Sequence, residues 1–139
     1  MEITANALQT VEANQNVIFT ETAVCGSNSI IHREGSGLTT LKGLTNQCRA
    51  RFRIFFSGNI AIPTGGTVGP ISLAIAVDGE AVGPTTMIVT PAAVEQFFNV
   101  ASAIYLDVPC GCCSKISVQN IGDEAIEVQN ANLIIERVA

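Results

Sequence analysis

Cysteine is the residue type here with the most chemical reach, at Cys25, Cys48, Cys110, Cys112 and Cys113. An odd number leaves at least one thiol unpaired within the chain, or bonded across a subunit boundary. Cys110, Cys112 and Cys113 follow Pro109 in a loop between two predicted strands, and the adjacent pair is expected to point in different directions. Three chemistries are open to the set: free thiols, disulfides within or between chains, or a zinc site drawn from Cys25, His32, Cys110, Cys112 and Cys113. Zinc sites bring cysteine pairs separated by roughly two to four residues. Only Cys110 and Cys113 meet that spacing, so no metal is expected. Disulfides in a cytosolic product would form only after its release from reducing surroundings.

His32 is the single histidine. A serine or cysteine nucleophile would need it as its base, yet it sits in a strand-like Ile30 to Arg33 segment and no nucleophile elbow is present. Gly65, Gly66, Gly69 and Pro70 form a glycine-rich connection without the lysine and helix start of a phosphate loop. Asp78-Gly79-Glu80 and Gly122-Asp123-Glu124 read as turns before they read as calcium ligands. Sugar stacking is disfavoured, because Trp is absent and Tyr105 is the only tyrosine. No catalytic residue and no cofactor is expected.

Arg49, Arg51 and Arg53 occupy alternate positions. Three like charges on one strand face repel unless carboxylates pair with them, so an ion-pair face is expected, ahead of an anion-binding one.

These residues are carried on β-strands. From Cys48 to Phe56 the side chains alternate: Cys48, Ala50, Phe52, Ile54 and Phe56 toward one face, the arginines and Phe55 toward the other. That parity makes Cys48 a buried small hydrophobe. The strand runs on through Ser57 to Asn59 into Ile60 to Ile62 and stops at Pro63. Ile71 to Val77 alternates again, and Asp78-Gly79 supplies a tight hairpin turn into Glu80 to Val82. Further strands are expected at 17–22, 30–33, 38–41, 85–90, 100–108, 115–120, 125–129 and 133–138. Ala5 to Ala13 and Pro91 to Phe98 also tolerate a helical turn. About eight to ten short strands at this spacing make an antiparallel sandwich.

The C-terminal segment from Val128 to Val138, a last strand ending almost at the terminus after a hairpin of the Ile116 to Val128 kind, resembles the C1q/TNF-like jelly rolls. Phage-encoded fibre or decoration proteins and bacterial spore-surface proteins carry such domains. The likeness spans about Val17 to Ala139. It implies an all-β antiparallel jelly roll and a trimeric module. Residues 1–15, rich in Ala, Asn, Gln and Thr, are expected to form an N-terminal arm docking on a neighbour, with the sandwich over 16–139.

The 139 residues carry 7 basic and 12 acidic side chains, a net charge of -5. Charged residues make up 14% of the chain, against roughly 25% in an average soluble domain. The acidic balance disfavours nucleic acid, and no apolar run approaches a membrane span. Residues 1–4 lack the features of a secretory signal. So neutral a surface is expected to be covered by sister chains. Outward positions Ser72, Ala74, Ala76, Ala101, Ala103 and Tyr105 are the expected subunit interface.

The expected function is non-enzymatic assembly: a trimeric decoration or fibre-head component of a virion, built in the host cytoplasm on a capsid, tail or surface lattice protein. The alternative is a receptor- or glycan-binding head on a bacterial or spore surface.

Overall fold

Strict alternation across Arg49–Ala61 builds a strand of 13 residues whose even-numbered side chains are buried and whose odd-numbered ones are half-exposed up to Ile60. This strand organises the molecule. The computed structural model describes all residues 1–139. It contains β1 Glu2–Ala5, β2 Gln9–Val11, β3 Glu21–Val24, β4 Ile30–His32, β5 Thr39–Lys42, β6 Arg49–Ala61, β7 Ile71–Val77, β8 Glu80–Ala81, β9 Met87–Val89, β10 Phe98–Pro109, β11 Cys113–Asn120 and β12 Ile126–Arg137. A 3-10 turn at Gly83–Thr85 is the only helical element.

All pairings are antiparallel. The first sheet runs β10-β6-β12-β1-β3, with β2 also beside β12; the second runs β4-β5-β11-β7-β8, with β9 also on β7. Spatial neighbours are mostly distant in sequence, which makes the sandwich an antiparallel jelly roll. Between the sheets lies one core, to which Phe52, Ile54 and Phe56 of β6, Leu133 and Ile135 of β12, and Leu73 and Ile75 of β7 contribute fully buried side chains. Phe19 meets Phe56 edge-on, with ring centroids 6.4 Å apart at 78°, the geometry that aromatic quadrupoles favour.

Several expectations are corrected. Residues 1–15 are not a separate arm. Glu2–Ala5 is hydrogen-bonded on both sides, to β12 and to β3, and Ile3 and Ala5 are buried in the core. Two alternating apolar residues are enough to seat so short a strand when partners wait on either side. The strand expected at 17–22 lies instead at Glu21–Val24, preceded by isolated bridges at Asn16 and Phe19, with Val17 and Phe19 buried in the core. The two strands expected at 125–129 and 133–138 are one, interrupted by a bulge between Gln129 and Asn132. Asn130 takes a left-handed φ of 56° there, which Asn tolerates better than most residues. No helix forms at 5–13 or 91–98. Asp78 and Gly79 form the hairpin turn with φ of 53° and 85°.

Candidate functional site

The outward face of the first sheet collects more of the singled-out residues than any other surface. Its rows follow from register. Tyr105 of β10 lies opposite Arg53 of β6, which lies opposite Glu136 of β12. One row on, Ala103, Phe55, Ile134 and Glu2 stand side by side across β10, β6, β12 and β1. The next row is Ala101, Ser57, Asn132 and Thr4. Ala103 and Tyr105 are exposed, Phe55 and Ile134 half-buried.

The arginines of this face and their carboxylate partners gather at one end. Arg49 Nε stands 3.2 Å from Asp107 Oδ2 and Arg51 Nε 2.8 Å from Oδ1, while Arg53 Nη1 reaches Glu136 Oε1 at 3.3 Å. Arg51 Nη2 also donates to Asp107 Oδ2 at 3.1 Å, making that pair bidentate. The Asp107 carboxyl is held below its ordinary range chiefly by the Arg51 hydrogen bond, with charge attraction from Arg51 and Arg49 adding and burial opposing. Arg51 is held protonated by the same bond. These pairs are half-exposed and therefore orient side chains more than they stabilise the fold.

The opposite end is amide-rich. Asn99 Nδ2 donates to Asn59 Oδ1 at 3.2 Å, Asn59 Nδ2 to Asn130 Oδ1 at 3.2 Å, and Asn130 Nδ2 to Asn6 Oδ1 at 2.5 Å. Asn132 Nδ2 donates to Glu2 Oε2 at 3.0 Å, leaving its buried Oδ1 without a partner.

The expected interface residues do not form one surface. Ala101, Ala103 and Tyr105 lie on this face, whereas Ser72, Ala74 and Ala76 belong to β7 in the other sheet. Ala74 and Ala76 are fully buried. Each is a methyl group in the middle of a sheet, flanked by Gln119 and by Ser117 and Ala81. Phe55 and Ile134 were not among the expected interface residues, although Phe55 stood out in the sequence as the one apolar member of an arginine face.

The other candidates are scattered. His32 Nε2 bonds to Ser36 O at 3.0 Å and its buried Nδ1 has no partner. Its ring stands edge-on to Phe19 at 6.4 Å. No nucleophile–base pair is assembled around it. Cys48 is exposed, not buried as its parity predicted, because β6 starts one residue later and Cys48 sits beyond the sheet's edge. Cys25, Cys110, Cys112 and Cys113 are also exposed, and all five thiols are free. No group of three or more His, Cys, Asp and Glu side chains converges as metal ligands. No helix is long and apolar enough to cross a membrane.

One pair of carboxyls, Glu127 buried and Glu95 exposed, escaped the sequence reading. Glu127 of β12 is 8% exposed, and its Oε2 has no hydrogen-bond partner. Glu95, in a left-handed conformation with φ of 60°, lies against it and accepts from Thr64 N at 3.0 Å and Thr64 Oγ1 at 2.7 Å. Burial, reinforced by Glu95, pushes the Glu127 carboxyl up. Glu95 is held down, first by the Thr64 hydroxyl and then by Glu127 and the Thr64 N–H, against the effect of burial. The folded pair thus carries one proton, on Glu127, between the two titrations. Because Glu127 is raised on folding, its stabilisation is full below the unfolded carboxyl pKa and drains away as pH rises through the folded value. Glu127→Gln keeps a neutral hydrogen-bonding group at every pH. The variant should match the parent near pH ~4 and melt higher than it at neutral and alkaline pH. Parallel thermal melts across that range check this; parallel curves at all pH values count against the shared proton.

No protein-family model matches the chain, and no curated protein sequence matches it. Among solved structures, the globular domain of zebrafish complement 1qA protein is similar over 96% of this chain and 93% of its own, with a TM-score of 0.63 at 12% identity. The CBM35 of Cellvibrio japonicus Abf62 covers 100% of this chain and 98% of its own at 8% identity, with a TM-score of 0.43. The EclA C-terminal domain, a sugar-binding protein, covers 95% and 80% at 16% identity, with a TM-score of 0.42. The last two are loose superpositions, and the first alone bears on the architecture. The chain has the C1q/TNF-like jelly-roll fold, as its strand order and C-terminal ending implied.

Proposed function

We propose that this chain is a non-enzymatic assembly protein that trimerises through the outward face of its first sheet and serves as a decoration or fibre-head component of a phage-like particle. The row Ala103, Phe55 and Ile134 supports this most directly: three uncharged side chains, flanked by Tyr105, standing across the centre of an open sheet face. Apolar surface of this kind gains free energy when another protein surface displaces its water. The ion pairs at one end and the amides at the other would form a polar rim and fix the register between copies.

A receptor- or glycan-binding head on a bacterial or spore surface is the second reading. The linked amides of Asn99, Asn59, Asn130 and Asn6 favour it, since fixed amides match the donor–acceptor pattern of sugar hydroxyls. Low aromatic content, 5% of the chain, favours the particle.

Sedimentation equilibrium at micromolar concentration tests the assembly. The expected mass is that of three chains, and a mass of one chain overturns it. Strong binding on a glycan array, lost when Asn59 is replaced by Ala, would move the assignment to the second reading.

A further inference from the structure

We infer that Cys48 and Cys110 form an intramolecular disulfide once the chain meets oxidising surroundings, clamping the edge strand β10 to β6. The register of β6 and β10 carries Arg49 opposite Pro109 at the last rung. Just past the end of the ladder, the same register continued by one step on each strand brings Cys48 opposite Cys110, and Cys110 N donates to Cys48 O at 3.0 Å. Directly opposed residues of a hydrogen-bonded antiparallel pair carry their side chains on the same face with Cα atoms ~5.5 Å apart. Disulfides span Cα separations of about 4.4–6.8 Å. Both thiols are exposed and free.

The surrounding loop holds this arrangement. Gly43 N donates to Cys112 O at 2.9 Å and Gly111 N donates to Gly43 O at 3.0 Å, tying the 43–48 segment to the turn after β10. Arg137 Nη1 donates to Leu44 O, and the Cys110 thiol donates to Thr45 O at 3.3 Å. The approach is so close that a Cβ on Gly43 would lie 2.1 Å from Pro109 O. The other cysteines lack such a counterpart: Cys113 faces Lys42 across β5, and Cys25 follows β3 in the first sheet.

The oxidant is a small-molecule disulfide. The thiolate of one cysteine attacks one of its sulfurs and expels a thiolate; the second cysteine attacks the mixed disulfide and expels the other. One S–S bond breaks and one forms. The two cysteines give up two electrons and two protons, and the small disulfide leaves as two thiols. Such oxidants prevail outside the cytosol.

The test uses the full chain at dilute concentration, incubated with oxidised glutathione at mildly alkaline pH, alkylated, digested without reduction and mapped by mass spectrometry. The expected product is a peptide pair joined through Cys48 and Cys110, with Cys25, Cys112 and Cys113 alkylated or carrying glutathione. The oxidised protein should melt at a higher temperature than the reduced one. In Cys110→Ser, Cys48 should instead retain glutathione, because no partner resolves the mixed disulfide. Glutathione persisting on both Cys48 and Cys110 of the wild-type chain overturns the inference. So do bonds from either to Cys112 or Cys113, or the survival of five alkylatable thiols.

Discussion

Replacing Ala103 with Asp is expected to turn the proposed trimer into single chains while leaving the protomer's fold and melting behaviour nearly unchanged. Ala103 is exposed on an edge strand of the protomer, and exposed substitutions away from special features shift stability by about 0.5 kcal/mol or less. In the proposed assembly the same position lies beside Phe55 and Ile134, where water would be displaced. A carboxylate buried there without a partner costs several kcal/mol for each copy. Symmetry multiplies the effect, because each trimer would carry three such charges in equivalent places. The nearest cation on the face, Arg53, is already committed to Glu136 at 3.3 Å. Sedimentation should therefore report about a threefold fall in mass, with unchanged circular dichroism. If the mass of three chains persists, copies meet elsewhere on the surface. Ala103→Ser, which adds no charge, should leave the assembly intact.

Removal of residues 1–5 is expected to abolish cooperative folding. Glu2–Ala5 is an inner strand of the first sheet, and its loss would strip ladder hydrogen bonds from both β12 and β3. It would also remove the exchange in which the N-terminal ammonium donates to Ile135 O at 2.6 Å and Ile135 N donates to Met1 O at 2.8 Å. Ile3 has no exposed surface, and emptying a site of that kind costs about 2–5 kcal/mol before the lost strand is counted. Whole domains are stable by only about 5–15 kcal/mol. Ile3→Ala serves as the graded version, with an expected loss of about 2–5 kcal/mol in denaturant unfolding at unchanged m-value. A truncated chain that melts like the full one would restore the arm and undo the placement of β1.

Much of the fold could be read from residue types because alternation is written locally. Along Ala50, Phe52, Ile54 and Phe56 each side chain's partner in the core is anonymous; only its face matters. Asp78-Gly79 likewise announces its turn through two residues alone. Where the reading failed, the deciding information was elsewhere in the chain. Glu2–Ala5 has too little apolar content to declare itself, and becomes a strand because β12 and β3 flank it. Ala74 and Ala76 have the outward parity expected of them, yet their neighbours bury them. Cys48 has inward parity, but the sheet ends before it. The Glu95 and Glu127 pair joins a loop to a strand across the outer face, with nothing in either neighbourhood to signal the other.

Taken alone, then, the amino-acid sequence determined the β class, the antiparallel sandwich, the inward face of the long alternating strands and the shortage of charge. These are properties of residue type and of a two-residue period, and none of them depends on which strands become neighbours. Tertiary structure decided that Arg51 meets Asp107, that Cys48 meets Cys110, and that Ala103, Phe55 and Ile134 share one row. Those meetings depend on register between segments dozens of residues apart, where a slip of one residue would turn every side chain to the opposite face.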